Sequence, residues 1–377
     1  MIKKAYAVGP ITHRSMPFWC VSNPLSDPFG GKVLPAIDSL DVAGLLAEAA
    51  RAGQIEATSF HDDDLVPWDP AHLEDDRDAK SETYRKLRAI KRVLDGAGLK
   101  VNTATCCLHG HPMFRAGGLT NPDRKIRALA RRKVERSLRM GAFFGARHFT
   151  YWVARDGFEV PVQVDWKNVY RWLAEGLDGV TDYIAAQGLR NYRGATIEPK
   201  PNEPRGHMFL PTSGHAVGFI QTHLKRPEFW GVNPELLQHE SMALMNAVLT
   251  VGYLVSAKKL TFLHFGSQIK AQFDNDFPPL IGPEGLKETV LMFWALDRIG
   301  WKGLVEYDCH MLRAEGTPDD PIGCRRGFIQ NCTRALAISL ALADRLRTFN
   351  GAGLGDSAAD LAATMALCGL TDKALAL

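Results

Sequence analysis

Short apolar runs alternate with longer segments in which apolar residues recur at helical spacing, over most of the chain. Segments 40–52, 83–97, 170–187 and 240–258 have this spacing, which predicts amphipathic helices. Strands that alternate with helices predict a parallel sheet, and eight units of this kind predict closure into a barrel. The predicted strands are 17–21, 55–60, 100–105, 148–152, 195–198, 230–233, 260–265 and 304–307.

The predicted fold class is therefore α/β, a (β/α)8 TIM barrel followed by a short C-terminal arm. A final helix over 328–346 completes the barrel, and the segment after residue 350 is rich in small residues. We expect the catalytic barrel domain to cover residues 1–348 and the arm to cover residues 349–377. The length of 377 residues also fits two ordinary domains, although one barrel of about 250 residues with insertions accounts for it as well.

Composition and charge argue against membrane and nucleic-acid partners. The chain is 46% hydrophobic and 23% charged, and no apolar run approaches the roughly 20 residues that a membrane span needs. The 45 basic and 42 acidic residues give a net charge of only +3, so no overall field attracts nucleic acid. A basic cluster lies between Arg124 and Arg139, and we interpret it as the solvated face of a helix.

The first residues and the cysteines favour a cytoplasmic location. The segment from Met1 to Ala5 lacks the apolar stretch and the small-residue cleavage site of a signal peptide. The seven cysteines are odd in number and form no C-x-x-C pair, which argues against a disulfide framework and a zinc ribbon. We therefore expect reduced thiols.

Acidic residues and histidines gather at or just after the last four predicted strands. The carboxyl ends of barrel strands share one face, where active sites are built. Carboxylates brought together there repel one another unless a cation neutralises them. Five carboxylates and two imidazoles could hold two divalent ions that share one carboxylate, although each residue alone could be an ordinary cap or turn. The residues are Glu198, Glu235, His239, His264, Asp274, Asp276 and Asp308.

Residues outside this group could carry acid–base chemistry. His61 opens an H-D-D-D segment at a predicted strand-to-helix boundary, with Asp64 three residues later. Asp64 either caps a helix or orients His61 as a general acid/base. Lys200 follows Glu198 by two residues and points to the same side if the segment is extended. Trp19 and Trp152 could be apolar walls of a site or ordinary core residues.

Several long motifs, in order from about residue 18 to residue 346, resemble the xylose isomerase family, particularly its shorter, actinobacterial-type members. The resemblance covers most of the chain. It is carried by F-W and D-P-F-G (within 18–30), S-F-H-D-D-D-L-V-P (59–67), H-P-M-F (111–114), Y-W-V-A-R-D-G (151–157), I-E-P-K-P-N-E-P (197–204), L-P-T-S-G-H-A (210–216), G-V-N-P-E (231–235) and F-D-N-D-F (273–277).

This resemblance implies an enzyme of carbohydrate metabolism, an aldose–ketose isomerase that moves a hydride between C1 and C2 of an open-chain sugar. It implies two divalent cations, magnesium, manganese or cobalt. Glu235 would bridge them. The first ion would be held by Glu198, Glu235, His264 and Asp308, and the second by Glu235, His239, Asp274 and Asp276.

The resemblance also assigns catalytic and substrate-binding residues. His61, oriented by Asp64, would open the sugar ring, and Lys200 would bind the carbonyl oxygen. Phe29 would reach a neighbouring subunit's site, which implies a homo-oligomer, either a dimer or a homotetramer. The substrate-binding residues would be Trp19, Phe29, Thr105, His109 and Trp152, with the two tryptophans excluding water.

The chain departs from the family at three places. His264 stands where the family has an aspartate, which favours manganese, cobalt or zinc over magnesium at the first ion. Alternatively, His264 turns away from that ion. One additional residue separates Glu235 from His239, so His239 could aim differently. His109 replaces an aromatic sugar wall and His310 a lysine, which leaves the sugar open.

Two other functions remain possible at this stage. A diverged barrel of this type could be an epimerase or a lyase that abstracts a proton from a modified sugar. It could also be a non-catalytic homologue that binds without reacting. The presence of His61, Asp64 and Lys200 together argues against the non-catalytic alternative, because a scaffold needs none of them.

Overall fold

A closed parallel barrel forms the body of the protein. The structure is a computed structural model that describes residues 11–22, 36–280, 284–312, 317 and 319–370. The eight barrel strands pair in parallel in the order β6-β5-β4-β3-β2-β1-β8-β7. These strands are β1 Ile11–Ser15, β2 Ala57–His61, β3 Lys100–Thr105, β4 His148–Trp152, β5 Gly194–Glu198, β6 Trp230–Val232, β7 Leu263–Phe265 and β8 Gly303–Tyr307.

Two isolated parallel bridges close the ring between β6 and β7. Val232 pairs with Leu260, and Glu235 pairs with His264. The second bridge lies beyond the end of β6, so the closure of the barrel itself sets two predicted site residues side by side. Eight parallel strands closed in this way confirm the predicted (β/α)8 fold.

Helices follow the strands and cover the outside of the barrel, as the alternating pattern predicts. Side-chain caps define several of their first turns: Asp38 accepts a hydrogen bond from the Leu40 amide, and Ser81 accepts one from the Tyr84 amide. The helices are α1 Phe18–Ser22, α2 Ser39–Arg51, α3 Asp62–Leu65, α4 Glu82–Gly96, α5 Arg124–Phe144, α6 Val169–Ala186, α7 Ser213–His223, α8 His239–Met242, α9 Ala247–Ser256, α10 Glu284–Arg298, α11 Pro321–Arg345 and α12 Asp356–Cys368.

Shorter elements decorate the loops. Three 3₁₀ turns, Pro112–Phe114, Pro161–Gln163 and Pro227–Phe229, each begin with proline. Gly157–Phe158 and His207–Met208 form a small antiparallel ribbon beside the barrel. None of the helices in the described part of the chain is long and apolar enough to cross a membrane.

Two predicted elements are wrong. Four of the five residues of the apolar segment 17–21 lie in the helix α1, and the first strand is the more polar Ile11–Ser15. The predicted helix 240–258 is two helices, α8 and α9, separated at residues 243–246, where Leu244 has a positive φ of 59°. In the first case a short apolar run does not distinguish a strand from a buried helix. In the second, apolar spacing continues through a change in backbone direction that it does not encode.

The basic cluster of α5 is only partly the solvated face that we predicted: Arg124, Lys125 and Arg132 are exposed, but two other members are not. Lys133 is fully buried and Arg136 nearly so. The Lys133 ammonium lies 2.5 Å from Asp62 Oδ2 and 2.9 Å from Asp63 Oδ1. Burial lowers the pKa of Lys133, but Asp62 and the other acidic groups around the ammonium, Asp63 among them, together outweigh it and hold that pKa above its ordinary value. These ion pairs fasten α5 to the H-D-D-D segment at the end of β2.

The C-terminal segment contains one helix, α12, which packs on α11 through the buried Ala363. Arg345 donates a hydrogen bond to the Leu367 carbonyl, 2.6 Å away. The division of the chain at residue 348 into a barrel and an arm stays a prediction. All seven cysteines are free, as expected.

We predict that Lys133→Met lowers the free energy of unfolding by about 3 kcal/mol, because the buried Asp62 carboxylate loses its nearer partner and keeps only Arg136, whose Nη1 atom lies 3.2 Å away. Arg131→Met on the same helix is the matched control. The Arg131 pair with Glu175 is partly exposed, so its loss should change stability by less than about 1 kcal/mol. Denaturant unfolding of both variants measures the difference, and equal losses would contradict the structural role of Lys133.

Candidate metal centre and active site

The carboxyl ends of the barrel strands surround a cavity of about 220 Å³. It collects nearly all of the predicted site residues. Lys200 lies beside it, with its ammonium 5.5 Å from the centre of the Trp152 ring. Phe29 lies outside the described residues. The predicted residues that line the cavity are Trp19, His61, Asp64, Thr105, His109, Trp152, Glu198, Glu235, His239, His264, Asp274, Asp276 and Asp308.

One buried cluster gathers around His264. A ligand atom from each of four residues lies within 4.8 Å of the others. The Nδ1 atom of His264 is 2.8 Å from Asp308 Oδ2 and 3.5 Å from Glu235 Oε1. The imidazole therefore faces the cluster rather than turning away. The four residues are Glu198, Glu235, His264 and Asp308.

A second cluster contains Glu235, His239 and Asp276, so Glu235 belongs to both. The Nε2 atom of His239 lies 2.6 Å from Glu235 Oε2, and its Nδ1 atom lies 3.1 Å from the Pro199 carbonyl oxygen. The additional residue between Glu235 and His239 therefore does not carry His239 away from the site. It is accommodated in the loop before α8.

Asp274 is not part of this second cluster. Its Oδ2 atom forms an ion pair with Lys200 and lies 3.5 Å from His239 Nε2. Burial raises the pKa of Asp274, but Lys200 and His239 together outweigh it, and the pKa lies well below its ordinary value. The Oδ1 atom of Asp274 accepts no hydrogen bond from the part of the chain that the structure describes. Asp274 therefore offers one committed oxygen and one that could bind a cation.

The charges of these clusters fit divalent cations. Burial raises the pKa of Glu198 to about 7, and burial together with the Asp274 charge raises the pKa of Asp276 well above its ordinary value. Burial acts in the same direction on Asp308, but the neighbouring His264 lowers its pKa overall. Carboxylates so close together in a dry cavity are stabilised by a bound cation. Oxygen and imidazole ligands suit magnesium, manganese, cobalt and zinc.

His61 and Asp64 form an oriented pair at the edge of the cavity. Asp64 Oδ2 accepts a 2.6 Å hydrogen bond from the His61 amide and lies 3.3 Å from His61 Nδ1. Burial lowers the pKa of His61, but the surrounding carboxylates, Asp64 foremost, together outweigh it, so the pKa is raised. Asp64 thus both caps α3 and orients the imidazole, which combines the two roles that the sequence left open.

A row of aromatic and imidazole rings, which includes His61, lines one wall of the cavity. The rings of Trp19 and His61 have centroids 4.8 Å apart, and the Trp19 Nε1 atom donates a 2.7 Å hydrogen bond to Asp308 Oδ1. His109 lies between His61 and Trp152, with centroids 5.6 and 4.8 Å away. Burial and the charge of His61 lower the pKa of His109, so this imidazole is neutral. It can both donate and accept a hydrogen bond.

Two residues at the site were missed in the sequence. Glu306 is fully buried and lies 3.3 Å from the Nε2 atom of His264. Glu306 precedes Asp308 by two residues at the end of β8, and side chains two residues apart in extended chain point to the same side. This spacing could have identified Glu306 as a residue of the site. Gln238 donates hydrogen bonds to Asp276 Oδ1 at 3.1 Å and to the Asp308 carbonyl at 2.6 Å. No sequence signal marks Gln238.

Comparisons with known proteins agree with this geometry. The xylose isomerase of Thermus thermophilus is 36% identical over 314 residues, which are 82% of this chain and 76% of that enzyme. The structure of D-psicose 3-epimerase from Clostridium cellulolyticum with D-tagatose matches with a TM-score of 0.55 and 14% identity, over 89% of this chain and 99% of that one. The IolI protein with a bound zinc atom matches with a TM-score of 0.59 and 12% identity, over 88% and 98%.

The structural similarities show the barrel fold alone, because their sequence identities are low. No protein-family model matches the chain. The relation to the Thermus enzyme is of a different kind, since it combines substantial identity with coverage of most of both chains. On this relation the chain belongs to the xylose isomerase family.

Proposed function

We propose that this protein is a divalent-metal-dependent aldose–ketose isomerase that acts on an open-chain sugar by a 1,2-hydride shift. One observation carries the proposal. A histidine–aspartate pair, a buried lysine, two tryptophans and two carboxylate–imidazole clusters that share Glu235 adjoin a single cavity. This is the set of groups that ring opening, carbonyl binding and hydride migration require.

The two clusters would hold two cations. The first would bind to Glu198, Glu235, His264 and Asp308, and the second to Glu235, His239 and Asp276, with Asp274 available through Oδ1. When bound, such cations supply Lewis-acid polarisation of the substrate oxygens. The zinc atom of the structurally similar IolI protein supports a metal centre in this kind of barrel.

His61 would act on the cyclic form of the sugar. Its Nδ1 atom faces Asp64, which leaves Nε2 to exchange a proton with the ring oxygen and the anomeric hydroxyl. Asp64 supports the protonated imidazole, since it raises the pKa of His61 against the effect of burial. The pair is therefore a general acid/base for ring opening.

Lys200 would bind the carbonyl oxygen of the open chain. Its ammonium is buried, paired with Asp274 and close to the Trp152 ring. Trp152 and Trp19 close two sides of the cavity with apolar surface, and they would exclude water from the path of the hydride. Trp19 is held in place by its hydrogen bond to Asp308.

The sugar would be recognised partly by His109. A neutral imidazole at this wall can hydrogen-bond a sugar hydroxyl, which an apolar ring cannot do. His310 adds a second imidazole, 3.6 Å from Asp276 Oδ2. We therefore propose a sugar other than xylose, with a different pattern of hydroxyls.

The proposal includes an assembly and a location. The substrate is a small sugar, and the protein is an oligomer, a dimer or tetramer, that works in the cytoplasm. Phe29 would contribute to the neighbouring subunit's site.

An epimerase is the second candidate. His61 and His109 are neighbours in the wall of the cavity, with ring centroids 5.6 Å apart, and two such imidazoles could remove and return a proton at one carbon. The barrels of sugar epimerases resemble this fold. In an epimerase of this kind the abstracted proton can exchange with water, whereas in a hydride shift the hydrogen passes directly between two carbons and does not exchange.

We predict that product formed in deuterium oxide carries no deuterium at C1 or C2, because a hydride passes directly between these carbons. Proton abstraction by an imidazole would instead exchange the hydrogen with solvent. Mass spectrometry and NMR of the product measure the label. Deuterium at the reacting carbon in a large fraction of product would establish proton abstraction and overturn the hydride shift, and the identity of the product would then distinguish an epimerase from an isomerase.

We predict that His61→Asn slows turnover of a cyclic aldose by about 10²- to 10⁴-fold, the usual contribution of a general acid/base. Glyceraldehyde, which cannot form a six-membered ring, should be affected much less. His72→Asn is the matched control, because His72 pairs with Asp69 at the same spacing on the surface. Equal losses on both substrates would show that His61 has no role in ring opening.

We predict that Glu235→Gln weakens both cation sites and abolishes activity, since one carboxylate serves both clusters. Asp276→Asn should weaken only one site. Titration calorimetry with Mn²⁺ compares the two variants with Asp178→Asn, a buried carboxylate that instead binds the Lys225 amide. If the Glu235→Gln variant binds two ions as tightly as the wild type, Glu235 is not a ligand that the two ions share.

A further inference from the structure

Glu306 lies beneath the first cluster, on the inner side of β8, and it is fully buried. Its two carboxylate oxygens have different partners. Oε2 accepts hydrogen bonds from the Ser59 hydroxyl at 2.5 Å and from the Asn102 amide at 3.2 Å. Oε1 lies 3.3 Å from the Nε2 atom of His264. Ser59 and Asn102 thus hold the carboxylate with Oε1 directed at the imidazole.

The two nitrogens of His264 consequently face different groups. Nδ1 faces the carboxylates of the first cluster, the nearest being Asp308 Oδ2 at 2.8 Å. Nε2 faces Glu306. The Asn233 amide nitrogen is also 3.5 Å from Nε2, but it donates to Glu198 Oε2 at the shorter distance of 3.1 Å. Both nitrogens thus have a carboxylate neighbour, and a cation in the cluster would decide between them. The lone pair of Nδ1 would face the cation, and the proton of the neutral ring would then lie on Nε2, where the Glu306 carboxylate accepts it.

We propose that Glu306 is a positioning residue for the first cation, which holds His264 in the Nε2–H tautomer and makes its Nδ1 atom a stronger ligand. The inference rests on the proposed metal centre and deepens it. Metal-binding histidines commonly donate their second N–H to a carboxylate, which fixes the ring and raises its basicity. The function of Glu306 is therefore exerted through His264 rather than by contact with substrate.

The contact between Glu306 and His264 also affects the negative charge available to a cation at the first cluster. An imidazole supplies one nitrogen and no charge, so His264 alone is a weaker ligand for a hard cation than a carboxylate. Glu306 places a negative charge directly behind the ring and polarises its N–H bond towards itself. The pair of His264 and Glu306 thus delivers to the cation some of the charge that a carboxylate ligand would supply.

The test is a double-mutant cycle read by cation binding. Titration calorimetry with Mn²⁺ compares wild type, Glu306→Gln, His264→Asp and the double variant. We expect Glu306→Gln to weaken binding at the first site by about 10- to 100-fold, the usual effect of losing such a partner. In the His264→Asp background no N–H faces Glu306, so Glu306→Gln should leave binding unchanged or strengthen it.

Two further variants test whether weaker Mn²⁺ binding could result merely from a less stable fold. Ser59→Ala removes the hydroxyl that holds Glu306 but keeps its charge, and it should weaken the first site in the same direction by a smaller factor. Asp178→Asn removes a buried carboxylate remote from the cavity and should bind Mn²⁺ as wild type does. Thermal unfolding of each variant confirms that the proteins compared are folded.

The outcomes separate the two proposals. If Glu306→Gln binds Mn²⁺ as wild type does, or loses the same factor in both backgrounds, Glu306 does not act through His264, and this inference alone is overturned. If the wild type binds no divalent cation, both the proposed function and this inference fall. If Glu306→Gln weakens Mn²⁺ binding only when His264 is present, the result supports the proposed role of Glu306.

Discussion

The closure of the barrel between β6 and β7 is the constraint on which the site depends. The bridge that completes the ring pairs Glu235 with His264, and these residues then meet carboxylates from β5 and from the segment after β8. Burial in this position makes separate negative charges unfavourable. Closing the barrel therefore brings together buried carboxylates that a bound cation would stabilise. The residues that complete the fold are also residues of the proposed metal centre.

Rigid support surrounds this centre on two sides. Below it, Glu306 and its partners Ser59 and Asn102 connect strands β8, β2 and β3. Beside it, Lys133 ties α5 to the segment that begins with His61. Catalytic groups work when their geometry is set before substrate arrives, and buried ion pairs of this kind supply that rigidity. The cavity is consequently shaped by charge networks as well as by its two tryptophans.

Much of the fold could be predicted because strand and helix patterns are local. The predicted strands at 100–105 and 148–152 have the bounds that the structure gives to β3 and β4. The first strand could not be found, because Ile11–Ser15 is polar and its pairing partner, Gly303, is almost three hundred residues away. The burial of Lys133 was missed for the same reason, since its partner Asp62 lies 71 residues earlier.

The residues of the candidate site were largely identified from motifs, and their geometry was not. Motif spacing located Asp274 near the second cluster, but only the structure pairs it with Lys200. The sequence left open whether His264 faces the first ion or turns away, because a motif does not specify which way a side chain points, and only the structure places its Nδ1 atom beside Asp308. Glu306 went unnoticed, although its spacing from Asp308 was visible. Charge networks that join distant strands are thus the part of a site that sequence patterns convey least.

The central claim is that two cations bind at clusters joined by Glu235. Crystals grown with Mn²⁺ and measured near the manganese absorption edge test it most directly. We expect two anomalous peaks, one among Glu198, Glu235, His264 and Asp308, the other among Glu235, His239 and Asp276. The absence of any peak in the cavity, or a single peak that does not contact Glu235, would contradict it.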